Sequence, residues 1–370
     1  MNRLTGMKRK KDRRHSLFFG ITSRTLMTIS AALLVLSYLS IYINPAKAWI
    51  MTIFGLLFLP LLLVNVLLLF WAAARRSGAA LIPLVALLPA VSMSGKYFRF
   101  PGRDSGSGSE GLKIISYNVG RFASAQDESL ESQRVCADSV IAFLRAEDAD
   151  IICLQEFYLW NESKVSSYFS SKLKGYDVKY YVNVNSSGCS GNVILSRYPS
   201  LSKGRIDFDR SANMAFYADY DISGTILRVY NCHFESYNIS LTRLAKSLEK
   251  DYRKTFRDTE EKMRRSIVKR PRQVESVMDD IESCPVEAIV TGDFNDTPMS
   301  YTYYRLSRSR KDSFEEAGKG SGATFSKLRP LLRIDYILFP ERFNAISHRV
   351  IHKKYSDHYP IEAVIDMNAE

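Results

Sequence analysis

The chain has 370 residues, 51 Lys/Arg against 39 Asp/Glu, and a formal net charge of +12. That charge is concentrated: residues 1–103 hold 14 Lys/Arg and one acid, Asp12, while the remaining 267 residues sit near neutrality at −1. The basic balance is therefore no nucleic-acid footprint on the larger part, and five cysteines without CxxC spacing argue against a disulfide framework or a structural zinc site.

Residues 1–25 form a basic tail, with seven Lys/Arg before Ser16. Three apolar stretches follow, at residues 26–44, 49–74 and 79–95, the last carrying Pro83 and Pro89. Crossing about 30 Å of hydrocarbon at 1.5 Å per residue takes about 20 apolar residues, so these are expected to be transmembrane helices. A cleaved signal peptide would not be followed so soon by a second apolar run. With three spans the tail and Arg75-Arg76 share one face, which the bias of basic loops makes cytoplasmic. The rest of the chain would then face the periplasm of a bacterial inner membrane. With two spans it would be cytoplasmic, the case mildly favoured by Lys96, Arg99 and Arg103; three spans are the expectation.

Residues 97–110 include a Ser/Gly-rich linker, and a soluble domain is expected over 111–370. There, short apolar runs alternate with helical ones. Residues 112–117, 150–154, 192–196, 226–230, 288–291, 334–339 and 361–365 read as strands. Residues 132–146 read as a helix, as do those after Pro271, where Val274, Val277, Met278 and Ile281 share a face. Residues 250–272 hold ten Lys/Arg against four acids and read as a solvated helical insertion, with anionic headgroups or a polyphosphate as the functional alternative. The Gly-rich run before Arg333 reads as a mobile loop near the site, without the strand–helix context of a phosphate-binding P-loop.

Most strand runs end in polar residues: Asn118, Glu156, His233, Asp293 with Asn295, Asp335, and Asp357 with His358. Strand ends converging on one edge are where α/β proteins place their sites. Glu156, Asp357 and the side-chain oxygen of Asn118 supply oxygen donors of the kind Mg²⁺ takes, with Mn²⁺ as an alternative. His358 can serve as a base if Asp335 orients its ring. Singly, Asp293-Phe-Asn295 reads as a turn and His233 as a satisfied core histidine; the ordered set reverses that.

Ser-Tyr-Asn118, Leu-Gln-Glu156, Gly-Asn192-Val-Ile-Leu-Ser-Arg-Tyr-Pro, Asn-Cys-His233-Phe, Gly-Asp293-Phe-Asn295, Arg333-Ile-Asp335-Tyr and Ser-Asp357-His358-Tyr-Pro occur in that order. Together they resemble the endonuclease/exonuclease/phosphatase superfamily across residues 111–367. The resemblance implies an α+β fold, a four-layer α/β/β/α sandwich of two packed mixed sheets flanked by helices, preceded here by the transmembrane helices. It implies that Asn118, Glu156 and Asp357 hold or surround the metal. Asp293 and Asn295 would position and activate water, His358 with Asp335 would complete the acid/base apparatus, and His233 would contact a phosphate oxygen or the leaving group. Which of Asp293 and His358 is the base stays open. Asn192 and Arg333 are carried over as substrate-binding residues. The Asn-x-His motif resembles the deoxyribonuclease, sphingomyelinase, deadenylase and inositol-phosphatase branches and disfavours abasic-site repair.

The expected protein is a membrane-anchored Mg²⁺-dependent phosphoesterase, with a metal-dependent nuclease as the alternative and a silent binding module as the distant one. Its expected partners are a phosphate-ester substrate and the lipid bilayer, with no obligate protein partner.

Overall fold

The computed structural model describes residues 2–100, 111–123, 130–237 and 252–368, with side chains described from residue 20 onward except for Leu130. The expected linker at 104–110 and the start of the basic insertion at 250–251 lie outside the described residues.

The N-terminal part is a helical bundle of α1 (Asn2–Leu39), α2 (Ile50–Leu56), α3 (Phe58–Ala74) and α4 (Leu81–Met93). Gly20–Leu39 and Gly78–Lys96 are each long and apolar enough to cross a membrane; α2 and α3 meet at a 59° bend and make a third crossing only if the pair is one span. The tail and first apolar stretch, expected as separate segments, form one continuous helix. Consecutive spans run antiparallel, so that α1 and α4 lie parallel to each other. Leu34, Tyr38, Phe58, Ala86 and Ala90 cluster at one end of the bundle, and Met27, Ala72 and Ala79 at the other. Asn65, buried mid-helix, donates to the Ser30 hydroxyl at 2.9 Å, the kind of polar tie that fixes helix pairing in an apolar setting.

The strands are β1 (Phe98–Arg99), β2 (Leu112–Asn118), β3 (Ile151–Leu159), β4 (Asp177–Asn185), β5 (Gly188–Ser196), β6 (Ser200–Asp207), β7 (Met214–Ile222), β8 (Thr225–His233), β9 (Glu287–Asp293), β10 (Arg310–Asp312), β11 (Gly320–Ser321), β12 (Asp335–Pro340), β13 (Asn344–Val350) and β14 (Ile361–Asp366). Two six-stranded mixed sheets result, in the orders β13-β14-β2-β3-β5-β4 and β10-β12-β9-β8-β7-β6, while β1 pairs with β11. The helices are α5 (Leu130–Glu147), α6 (Val165–Lys172), α7 (Tyr252–Ser283), α8 (Tyr301–Ser307) and α9 (Ser313–Ala317).

Successive side chains on a strand point to opposite faces, and both faces here are covered. Ile114, Ile151 and Ile194 meet Phe216, Ala218, Ile289 and Ile337 between the sheets. Ile115, Ile152 and Leu195 turn outward onto Val140, Leu144 and Phe169 of α5 and α6. On the far side Val290 and Leu338 meet Val274, Val277 and Met278 of α7 and Leu306 of α8. This is the four-layer α/β/β/α sandwich. Each such side chain is fully buried, and full burial stabilises by about 1.5–3 kcal/mol. The basic insertion and the helix after Pro271 are one element, α7, with Pro271 inside it.

The bundle and sandwich meet at a close joint. Ser40 donates to the Met299 carbonyl at 3.0 Å. A Cβ on Gly55 would lie 2.2 Å from that oxygen, so only glycine fits there without displacement. Lys96 pairs with Glu315 at 2.8 Å, and Tyr42 packs edge-on against Tyr304.

Candidate active site

Strand register alone assembles half of the site. His233 ends β8 beside Asp293 of parallel β9, and Asp335 opens β12 opposite the same Asp293. On the other sheet Asn118 ends β2 opposite Gln155 of β3. The next residue, Glu156, sits at a register shift between Leu154 and Phe157 and has φ +55°. A bulge of this sort turns a side chain off its regular face, here toward the other sheet's edge.

Asp293 is the hub. Its Oδ2 accepts from Asn118 Nδ2 at 2.9 Å and from Asn295 Nδ2 at 3.2 Å, and its Oδ1 accepts from the Asn295 backbone N–H at 2.8 Å. His358 Nε2 and His233 Nε2 each stand 3.7 Å from the same Oδ2. Asn118 also donates to Glu156 Oε1 at 3.2 Å. His358 Nδ1 bonds Asp335 Oδ2 at 3.0 Å. Asp293, Asp335 and His358 offer ligand atoms within 4.8 Å of one another, all buried.

Burial raises the Asp293 carboxyl to about 6, even though His358 opposes that shift. Burial pulls the His358 imidazole down, but the charges of Asp335 and Asp293 outweigh it and hold it up near 10. The two carboxylates thus favour the protonated ring, while the Asp335 contact at Nδ1 orients it as the sequence reading expected. His233 Nε2 comes within 3.3 Å of Glu156 Oε1, yet it lies off hydrogen-bond geometry and is buried without a partner. Such an orphaned donor in a polar cleft is a place for a ligand atom.

The donor set fits a hard divalent cation. Glu156 has no Lys or Arg partner among the described residues, and its side chain is 37 % exposed toward the cleft. Asp293 and Asp335 add further carboxylate oxygens, which suit Mg²⁺ or Mn²⁺. His358 fits that role less well, because its Nδ1 is engaged by Asp335.

The structure brings together Asn118, Glu156, His233, Asp293, Asn295, Asp335 and His358. Asp357 stands at the rim: its carboxylate pairs with Lys327 at 2.9 Å. Burial would raise its pKa, but His358 and Lys327 hold it below the usual range. Asn192 is buried beneath the cleft, with its amide toward the Met214 and Asn231 carbonyls at 3.4 Å. Arg333 is not at the site. It is 2 % exposed, paired with Asp312 at 2.5 Å and bonded to the Lys96 carbonyl at 3.0 Å, so its guanidinium serves the joint with the bundle. The Gly-rich run is also not loose. Thr324 Oγ1 accepts from the Asp335 backbone N–H at 3.2 Å, and Phe325 packs edge-on against the His358 ring.

The sequence reading quoted Gln155 and Asn231 within its motifs but gave them no role; they tie the two sheets beneath the site at 2.8 Å. Their role could not be read locally, because the partner strands lie 76 residues apart.

A sequence profile of the endonuclease/exonuclease/phosphatase family matches residues 115–358. The chain belongs to this family. Members are divalent-metal-dependent hydrolases of phosphate esters, and this chain is such an enzyme. A second profile, described as a domain of unknown function, matches residues 16–97. No curated protein matches by sequence. Among solved structures, an endonuclease/exonuclease/phosphatase from Beutenbergia cavernae DSM 12333 is 15 % identical, with a TM-score of 0.53 over 70 % of this chain and 72 % of that one. Humanized D. rerio TDP2 is 18 % identical, with a TM-score of 0.51 over 70 % of this chain and all of that one. A family protein from Leptotrichia buccalis C-1013-b is 17 % identical, at 0.51 over 69 % of this chain and all of that one. At these identities the likeness speaks for the fold alone.

Proposed function

We propose that the protein is a membrane-anchored, Mg²⁺-dependent phosphoesterase acting on phosphodiesters, with its catalytic domain on the opposite side of a bacterial inner membrane from the basic tail. The observation that carries the chemistry is the hub at Asp293, where two imidazoles and two carboxamides converge on one buried carboxylate. The antiparallel bundle supports the three-span orientation: Tyr38 donates to the Ala86 carbonyl at 2.9 Å at the end that abuts the domain, and Arg75-Arg76 follow α3 at the other.

Glu156 would hold the cation, with Asn118 setting the angle of its carboxylate and Asp357 contributing from the rim. The bound ion would polarise the phosphate and offset its charge. Asp293 accepts a proton from the attacking water at its Oδ2, while the Asn295 N–H holds its other oxygen. A water-oxygen-to-phosphorus bond forms as the bond to the leaving oxygen breaks. His358 donates from Nε2 toward that oxygen, held in line by Asp335, and the unpartnered His233 Nε2–H faces a non-bridging phosphate oxygen.

The test uses the full chain in detergent or nanodiscs with bis(p-nitrophenyl) phosphate. Hydrolysis is expected with Mg²⁺ or Mn²⁺ and is abolished by EDTA; hydrolysis indifferent to EDTA overturns the reading. A panel of DNA, RNA, sphingomyelin, phosphatidylinositol phosphates and inositol phosphates then sorts the substrate class.

A further inference from the structure

We infer that the amino-terminal half of α7, residues 252–265, is a bilayer-contacting surface that rests on anionic lipid headgroups beside the anchor. The inference rests on the membrane-anchored part of the proposed function and is independent of the chemistry at Asp293.

The first observation is topological. β8 and β9 are parallel, so α7, which crosses between them, runs antiparallel to both and begins at the edge that bears His233 and Asp293. Its buried positions start at Ser266. The preceding 14 residues, about 21 Å of helix at 1.5 Å per residue, are exposed except for Thr255, Asp258, Thr259 and Met263, which are half-buried.

The second observation places the helix next to the anchor. Glu275 of α7 accepts from the Tyr301 hydroxyl at 2.8 Å, and Tyr301 opens α8, the helix whose Tyr304 packs edge-on against Tyr42 of the loop between α1 and α2. The short helix α8 thus bridges the carboxy-terminal half of α7 to the domain-facing end of the bundle, ten residues beyond the exposed half.

The third observation is chemical. Residues 252–265 hold six Lys/Arg against three acids. The apolar stripe that buries Ile267 and Val274 against the sheet continues at helical spacing through Met263 to Phe256 and Tyr252. Phe256 and Tyr252 stack at 6.3 Å and are 60 % and 66 % exposed. Aromatic rings flanked by guanidiniums match the headgroup layer, where rings settle at the interface and Arg pairs with lipid phosphate. A nucleic acid needs a wider cationic track, and the near-neutral domain lacks the charge for one.

The test is peptide-resolved hydrogen exchange on the full chain in nanodiscs of phosphatidylcholine, with and without phosphatidylglycerol. Amides in 252–265 are expected to exchange at least about tenfold more slowly in the anionic discs, and the triple variant R253E/R257E/R264E is expected to lose that protection. Equal exchange in the two discs overturns the inference, as does protection that appears in neutral discs only on adding an oligonucleotide. A chain that does not enter discs at all overturns the anchoring as well. Hydrolysis by the same discs is read separately, so the chemistry can fail while the surface stands.

Discussion

Two buried clusters of charge lie within the same domain and differ in how completely they are paired. At the joint with the bundle, Asp312 receives Arg333 at 2.5 and 2.6 Å, Tyr303 at 2.7 Å and the Phe314 N–H at 2.9 Å. Burial would raise the Asp312 carboxyl, but Arg333 outweighs it and holds the group low. Every charge there has an opposite partner in contact. At the strand ends, His233 has an orphaned nitrogen, Glu156 lacks a cationic partner among the described residues, and Glu156 and Asn295 hold positive φ of 55° and 51°. A closed network specifies structure, whereas an open one keeps strain and unmatched charge for a ligand. The contrast separates residues that bear on stability from residues that bear on activity.

The largest expected effect tests the open cluster. Glu156→Gln should lower kcat with bis(p-nitrophenyl) phosphate and Mg²⁺ by about 10³-fold or more, roughly 4 kcal/mol of transition-state stabilisation. Because it removes an uncompensated carboxylate, Tm should hold or rise. A Tm drop with activity retained would place Glu156 in the closed class instead.

Arg333→Met should give the mirror image. Breaking a buried pair leaves Asp312 uncompensated and costs about 3–5 kcal/mol. Denaturant unfolding should show that loss, while molecules still folded keep most of their kcat. Loss of kcat without loss of stability would return Arg333 to the substrate.

These two residues also mark what the sequence could tell. Glu156 was legible because its carboxylate follows an apolar run, although β3 continues past it to Leu159 and it is the bulge, not a strand end, that turns the side chain to the site. Arg333 stands in an equally good motif, but its partner Asp312 is 21 residues away on another strand, and no local pattern reveals such a pairing. The sandwich was legible only through the resemblance, since apolar runs alone fit a doubly wound sheet as well. The joint was invisible for the same reason as Asp312: Ser40 and Met299 are 259 positions apart. Pinning of the Gly-rich run by Thr324 was missed because composition reports backbone freedom, not the hydrogen bonds that remove it.

A smaller effect separates the clusters by pH. His348 belongs to the closed side, bonded to Ser313 at 2.8 Å, and burial with Arg333 nearby pushes its ring from 6.5 down to about 3. Above pH 6.5 neither folded nor unfolded chain protonates it, so its contribution is fully present. Below that the unfolded chain takes up a proton the folded chain refuses, and stability falls as pH drops toward 3. This one group should account for up to about 3 kcal/mol by pH 4. In His348→Gln, unfolding free energies measured from pH 7 to 4 should fall less steeply by that amount; an unchanged slope assigns the acid sensitivity elsewhere.

The smallest effect concerns a hydrogen bond that reaches from the bundle to the segment after Asp293. Ser40→Ala removes the donor to the Met299 carbonyl, and with it the oxygen that lies beside Gly55. A single neutral bond contributes about 1 kcal/mol, somewhat more when a buried acceptor is left unmatched. Lys96 still pairs with Glu315 in that variant, and Arg333 still holds Asp312, so the joint should survive with a loss near that figure in detergent unfolding and an unchanged KM. A loss larger than that of Arg333→Met would mean that the helices, rather than the charge cluster, keep the segment beyond Asn295 in place. The bundle would then be part of the catalytic fold instead of a tether to it.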